Sequence, residues 1–154
     1  MAGNKKPRKA YKPKRVAKDP IAFLSVCKPA DVVVDKLYYR AALDHILTGK
    51  GVIKDYDAMA ACVNISAALS AMHFGDEQYE TSFAAQRAHS ALGERVRAGK
   101  PIIYRGLEIG AMKKGMELYE SQADLMTQRD MVNASLLINE ILVDQKFKAK
   151  QQLS

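Results

Sequence analysis

The sequence predicts an all-α protein, a bundle of five or six helices behind a disordered basic N-terminal tail, with at most one short β pair. Apolar residues recur at three- and four-residue spacings over four segments, the pattern of a helix with one face in a core. Gly49, Gly51, Gly75, Gly99-Lys100-Pro101 and Gly106 fall between those segments as breaks. A chain of 154 residues, 48% of them hydrophobic, is long enough to bury one core. With no Trp, 5 Pro and only 2 Cys, it matches neither collagenous, low-complexity nor disulfide-stapled classes.

Residues 1–18 combine high charge with almost no large apolar side chain, so burial cannot offset the entropy of ordering them and the segment is expected to be disordered on its own. The helical domain is read over residues 19–145 and a basic C-terminal end over 146–154. Asp19-Pro20 is a start signal, with Asp as N-cap and Pro at the first helical position. A short helix over Ile21 to Val26 should stop before Lys28-Pro29. The second helix is expected from about Val34 to Leu47, with Leu37, Tyr39, Leu43, Ile46 and Leu47 on its apolar face and Gly49 and Gly51 closing it.

From Asp55 the residues Met59, Cys62, Ile65, Leu69 and Met72 predict a third helix, capped by Asp55 or Asp57 and ended at Gly75. The fourth, about Glu77 to Arg97, presents Tyr79, Phe83, Ala85, Ala88, Leu92 and Val96 and should pair antiparallel with the third. Ile102-Ile103-Tyr104 is β-prone and can pair briefly with Val52-Ile53. The cleanest period belongs to Ile109, Met112, Met116, Tyr119, Ala123 and Met126, spaced 3, 4, 3, 4 and 3 residues apart. Leu107, Ala111, Leu118 and Leu125 widen its apolar face, which predicts a central position. Thr127 and Asp130 form a capping box with Asp in place of Glu, starting a last helix through Met131, Ser135, Ile138 and Leu142 that should fray in the basic stretch past Asp144.

Charge is segregated. Residues 1–19 carry eight cations, Lys5, Lys6, Arg8, Lys9, Lys12, Lys14, Arg15 and Lys18, against the single anion Asp19, a net +7 equal to that of the whole chain. Residues 20–143 hold thirteen cations and fifteen anions, a net −2, and Lys146, Lys148 and Lys150 make the C-terminal end basic. A polyanionic partner would therefore be met at the ends of the chain. Cations every one to three residues on a pliable segment can follow a phosphate backbone without a fitted surface. Tyr11 is the one aromatic there, so neither base stacking nor sequence readout is expected from the tail. A solubility tail or a localisation signal would have the same composition.

Other constellations point to packing. His45, His73 and His89 lie 28 and 16 residues apart with no metal-binding spacing, and they read as ordinary surface or half-buried side chains. Cys27 and Cys62 are too far apart for a redox motif and are expected to be reduced and inert, Cys62 on an apolar stripe that disfavours a thiolate. Gly106, Gly110 and Gly115 lack the strand-to-helix context of a phosphate loop, and read as one turn and two close helix contacts. The six methionines after Met1 read as core, not as a promiscuous groove. No catalytic residue, metal or cofactor is expected, and no apolar run is long enough for a secretory signal or a membrane span; the expected setting is cytoplasmic.

The tail Lys6 to Lys14, the Asp19-Pro20 start, and the stretches Gly106 to Glu108, Glu117 to Gln122 and Thr127 to Asp130 together resemble small proteins of proteobacterial prophages and plasmids. That resemblance implies a mobile-element accessory setting and carries no assigned activity or site residues. The expected function is a non-enzymatic accessory protein whose tail contacts DNA or RNA nonspecifically, with a protein partner or self-association through the helical domain as a second contact. The alternative is a protein-binding inhibitor or adaptor acting through a helical face.

Overall fold

The computed structural model of the chain describes residues 29–152, with side chains described over residues 34–142. Five helices follow one another, α1 (Pro29–Leu47), α2 (Ile53–His73), α3 (Asp76–Arg97), α4 (Leu107–Ala123) and α5 (Gln128–Gln152), with no strand among the described residues. The basic tail, the expected helix at Ile21 to Val26 and Cys27 lie outside them.

Local chemistry explains each boundary, including those that differ from expectation. α1 opens at Pro29, earlier than the expected start near Val34, because Pro at the first helical position gives up an N–H that would have no partner there. α1 and α3 end alike: Gly49 and Gly99 take φ of 75° and 76°, and the next residues, Lys50 and Lys100, donate back to the His45 and Arg95 carbonyls at 2.8 and 2.9 Å. The expected β pair does not form. The Val52 N–H donates to the Asp55 carboxylate at 3.0 Å, so Ile53 opens a helix instead of a ladder. The two segments do lie together, since a Cβ on Gly51 would stand 2.8 Å from the Ile102 carbonyl oxygen.

The capping box at the start of α5 is present, with Thr127 N–H donating to Asp130 at 2.9 Å and Asp130 N–H to the Thr127 hydroxyl at 3.2 Å. The helix runs on to Gln152 instead of fraying after Asp144. The periodic stripe from Ile109 ends as a helix at Ala123, and Met126 reaches the core from the turn that follows.

α2 lies against all four other helices, whereas α5 packs on α2 alone. α1 and α4 run antiparallel, tied by Arg40 to Glu120 and by Lys36 to Asp124 at 2.6 Å. The main core joins Ile46, Met59, Cys62, Leu92, Met112, Met116 and Tyr119 from the first four helices. A smaller cluster of Leu69, Met126 and Ala134, with Met72, Met131 and Ile138 packed on it, seats α5.

Several expected core residues face solvent: Leu37, Tyr79, Phe83, Leu125 and, at 95% exposure, Leu107. Each sits on the flank of a stripe whose centre is already filled by smaller or more central side chains. α4 is thus covered on one face only, not centrally placed; the central helix is α2.

Close helix approach depends on missing side chains. A Cβ on Gly115 would stand 2.5 Å from the Cβ of Ala85, so the Ala85 methyl of α3 packs directly on the α4 backbone there. Gly110, expected to make a similar contact, has nothing within 4 Å. Gly115→Val should therefore destabilise by about 2–3 kcal/mol through overpacking. Gly110→Ala should stabilise by about 0.5–1 kcal/mol through helix propensity alone. Urea denaturation of the two variants should shift the midpoint in opposite directions.

Candidate functional site

An extended recess runs along the seam of the antiparallel pair α2 and α3. From α2 come Tyr56, Ala60, Asn64, Ala67 and Ala71, spaced 4, 4, 3 and 4 residues apart, and the three alanines keep the floor low. From α3 come Tyr79, Phe83, Gln86 and Ser90. Two hollows share Asn64, Gln86 and Ser90. One, of about 380 Å³, is walled by Leu137, Ile138, Ile141 and Leu142 of α5. The other, of about 450 Å³, is bounded by Tyr56, Phe83, Arg87 and His89. Gln86 donates to the Asn64 side-chain oxygen at 2.9 Å across the seam.

Along the rim, Tyr79 and Phe83 are 40% and 37% exposed, with ring planes within 8° of parallel and centroids 6.0 Å apart. The Arg87 guanidinium lies 4.8 Å from the Phe83 centroid. The three side chains follow at four-residue intervals, which on a helix stacks them on one face about 6 Å apart.

Beneath the second hollow, His89 is 5% exposed, more deeply buried than the surface or half-buried position expected. Its ring stacks on Tyr56 at 4.3 Å, its Nδ1 is 2.7 Å from the Tyr104 hydroxyl, and its Nε2 has no hydrogen-bond partner. Burial pushes the imidazole down to about 4, against a smaller upward pull from the Tyr56 backbone carbonyl. Burial pushes Tyr104 up as well, so a protonated hydroxyl donates to a neutral ring. Gly93 completes the arrangement, because a Cβ there would strike the Tyr56 hydroxyl at 2.5 Å.

Burial raises Cys62 too, and its thiol donates to the Met116 sulfur at 3.8 Å. The packed role expected for Cys62 is observed. A further polar cluster joins Ser66, Ser70 and Gln122, with Ser66 donating to the Gln122 carbonyl and the Gln122 amide donating to Ser70, both at 2.8 Å. Among the described residues no three His, Cys, Asp or Glu side chains converge to hold a metal, and no helix is long and apolar enough to cross a membrane.

Lys5, Lys6, Arg8, Lys9, Lys12, Lys14, Arg15 and Lys18 all lie outside the described residues. Sequence reasoning placed Tyr79 and Phe83 in the core and missed the recess. The available signal was the four-residue repeat Tyr79, Phe83, Arg87, which ends in a cation that a buried stripe would not carry. Comparison with protein-family models, with curated proteins and with solved structures returns no match.

His89 generates a prediction about pH. Its folded pKa lies below the ordinary value, so the unfolded chain takes up a proton between about pH 6.5 and pH 4 that the folded one refuses. Stability should be full above about pH 6.5 and fall toward pH 4 by up to about 3 kcal/mol. Asp55, Glu108 and Asp130 are held below the usual carboxylate range by the Val52 N–H, the Arg95 guanidinium and the Thr127 hydroxyl respectively. Their loss therefore enters only at lower pH. Urea denaturation from pH 7.5 to 4.5 should show the decline. A double variant, His89→Leu with Tyr104→Phe, should flatten it.

Proposed function

We propose that this protein is a non-enzymatic accessory protein of a mobile element that contacts DNA or RNA nonspecifically through Lys5, Lys6, Arg8, Lys9, Lys12, Lys14, Arg15 and Lys18. The observation that carries this reading is the partition of charge: residues 1–19 hold the entire net +7 of the chain. Ion pairing within the body supports it. Lys36, Arg40, Arg95 and Arg97 are engaged by carboxylates of the body itself, so these cations are not free for phosphate. Binding of this kind works by counterion release and needs no reading surface. The mobile-element setting rests on the resemblance of the tail and the short stretches named above.

One observation favours a protein-binding adaptor as the second reading. Val132 and Leu136 are 45% and 55% exposed on α5, away from the residues that seat it on α2, and Leu125 is exposed just before the helix. An apolar stripe left uncovered beside a covered one suits a protein partner.

Fluorescence-anisotropy titration on two unrelated DNA duplexes and one RNA, over several salt concentrations, separates the readings. Full-length protein should lose affinity linearly in log salt with a slope of up to about −7, from roughly −0.9 per phosphate neutralised. Deleting residues 2–18 should remove most of that affinity on every sequence and leave the fold intact. Equal binding by both forms, or none near 50 mM salt, would put the adaptor reading first.

A further inference from the structure

We infer that the exposed ladder Tyr79, Phe83 and Arg87, with Asn64, Gln86 and Ser90 in the recess beside it, is a stacking site for unpaired nucleobases, which makes the protein prefer single strands over duplex. This inference rests on the nucleic-acid reading above and deepens it.

Parallel rings in full contact lie about 3.5 Å apart, so a centroid separation of 6.0 Å at 8° means that Tyr79 and Phe83 are slipped or spaced. The Phe83 ring meets Tyr79 and, 4.8 Å from its centroid, the Arg87 guanidinium, yet both aromatic residues remain more than a third exposed, and that exposed part is the surface a base would meet. Flat faces of this kind, with a guanidinium at one end, are what successive bases stack on, whatever their identity. A base on the ladder lies within the recess, whose amides and hydroxyl offer donors and acceptors to its edge. A base paired inside a duplex offers no free face.

The site also lies at the end of the bundle where the tail joins. Pro29 opens α1; seven residues on, Lys36 pairs with Asp124 at 2.6 Å. Two residues before Asp124, Gln122 donates to Gln78 at 3.4 Å, and Gln78 adjoins Tyr79. The ten residues from Asp19 to Lys28 can span at most about 35 Å, which bounds how far the first cation of the tail, Lys18, can lie from the start of α1. The division of labour follows from charge. Asp76, Glu77 and Glu80 on α3 repel phosphate, so the tail carries the backbone and the ladder contributes stacking, which releases no counterions.

Full-length protein and the double variant Tyr79→Leu/Phe83→Leu are titrated by anisotropy with labelled dT20, rU20 and a 20-base-pair duplex from 50 to 300 mM salt. The double variant keeps apolar surface and helix propensity while removing the π faces. It should bind both single strands at least about tenfold more weakly, with an unchanged salt slope and unchanged duplex affinity. In the wild-type protein, the aromatic NMR signals of Tyr79 and Phe83 should move on adding dT20 and stay in place on adding duplex. Comparison of dT20 with rU20 tells whether the sugar matters.

If single strands and duplex bind alike and the variant alters neither, the ladder is not a base site, while the tail reading stands. If no nucleic acid binds, both fall. If the variant unfolds, the wild-type NMR result decides, and signals that stay fixed at saturating dT20 overturn the proposal. A wild-type protein that self-associates through these rings, with strand binding indifferent to their loss, overturns it in favour of an interface between copies.

Discussion

The fold hangs on one constraint: α2 touches every other helix, so the polar side chains it buries must be satisfied by protein and not by water. Ser66 and Ser70 are buried on it, and Gln122 of α4 serves both, accepting from one and donating to the other. A buried donor or acceptor left alone costs about 1–3 kcal/mol, so a shift of α4 along α2 is penalised at three groups at once. That register sets Cys62 against Met116. It also sets Glu120 and Asp124 where they meet Arg40 and Lys36, so α1 is positioned partly through its pairing with α4.

The small residues of α2 follow from the same crowding. Ala58, Ala67 and Ala68 are buried, and Ala60 and Ala71 form the low floor of the recess. A helix with neighbours on most sides admits them closely only where its side chains are short, as Gly115 does for α4 against α3. The recess is thus a by-product of packing: the alanines that let α2 sit in the middle leave a hollow where α3 and α5 diverge above it.

Much of this was legible in the sequence, and what was not has identifiable physical reasons. Met112, Met116, Tyr119 and Ala123 are buried as their spacing requires, and the Thr127 and Asp130 cap appears where its pattern stands. Periodicity finds the centre of an apolar face but not its width, which is why Leu37, Leu107 and Leu125 are exposed despite their positions beside good stripes. It is equally silent on which helix becomes central, because that depends on pairings between distant segments. The Tyr79 and Phe83 rings were misassigned for the first reason. His89 escaped notice for the second, since Tyr56 and Tyr104, the residues that enclose it, are contributed by α2 and by the connection before α4.

The electrostatics of the body bear on how a polycationic segment attached to it would behave. Such a segment has two sets of anions to choose between, those of a nucleic acid and those of its own domain. Glu94, Glu108, Glu120 and Asp124 are already matched to cations of the body, and Asp55 and Asp130 accept from backbone N–H groups as well as lying beside histidines. The exposed carboxylates Asp76, Glu77 and Glu80 cluster at the start of α3 and can compete for such a segment at short range, but they are screened at physiological salt beyond about 8 Å. A nucleic acid, by contrast, presents a dense line of charge with condensed counterions to release. Internal pairing in the body and concentration of charge in the tail thus act in one direction, favouring a phosphate backbone over self-contact. The interior that gives the bundle its register supports the same outcome, because the pairs between α1 and α4 that hold the fold also withdraw its carboxylates from competition.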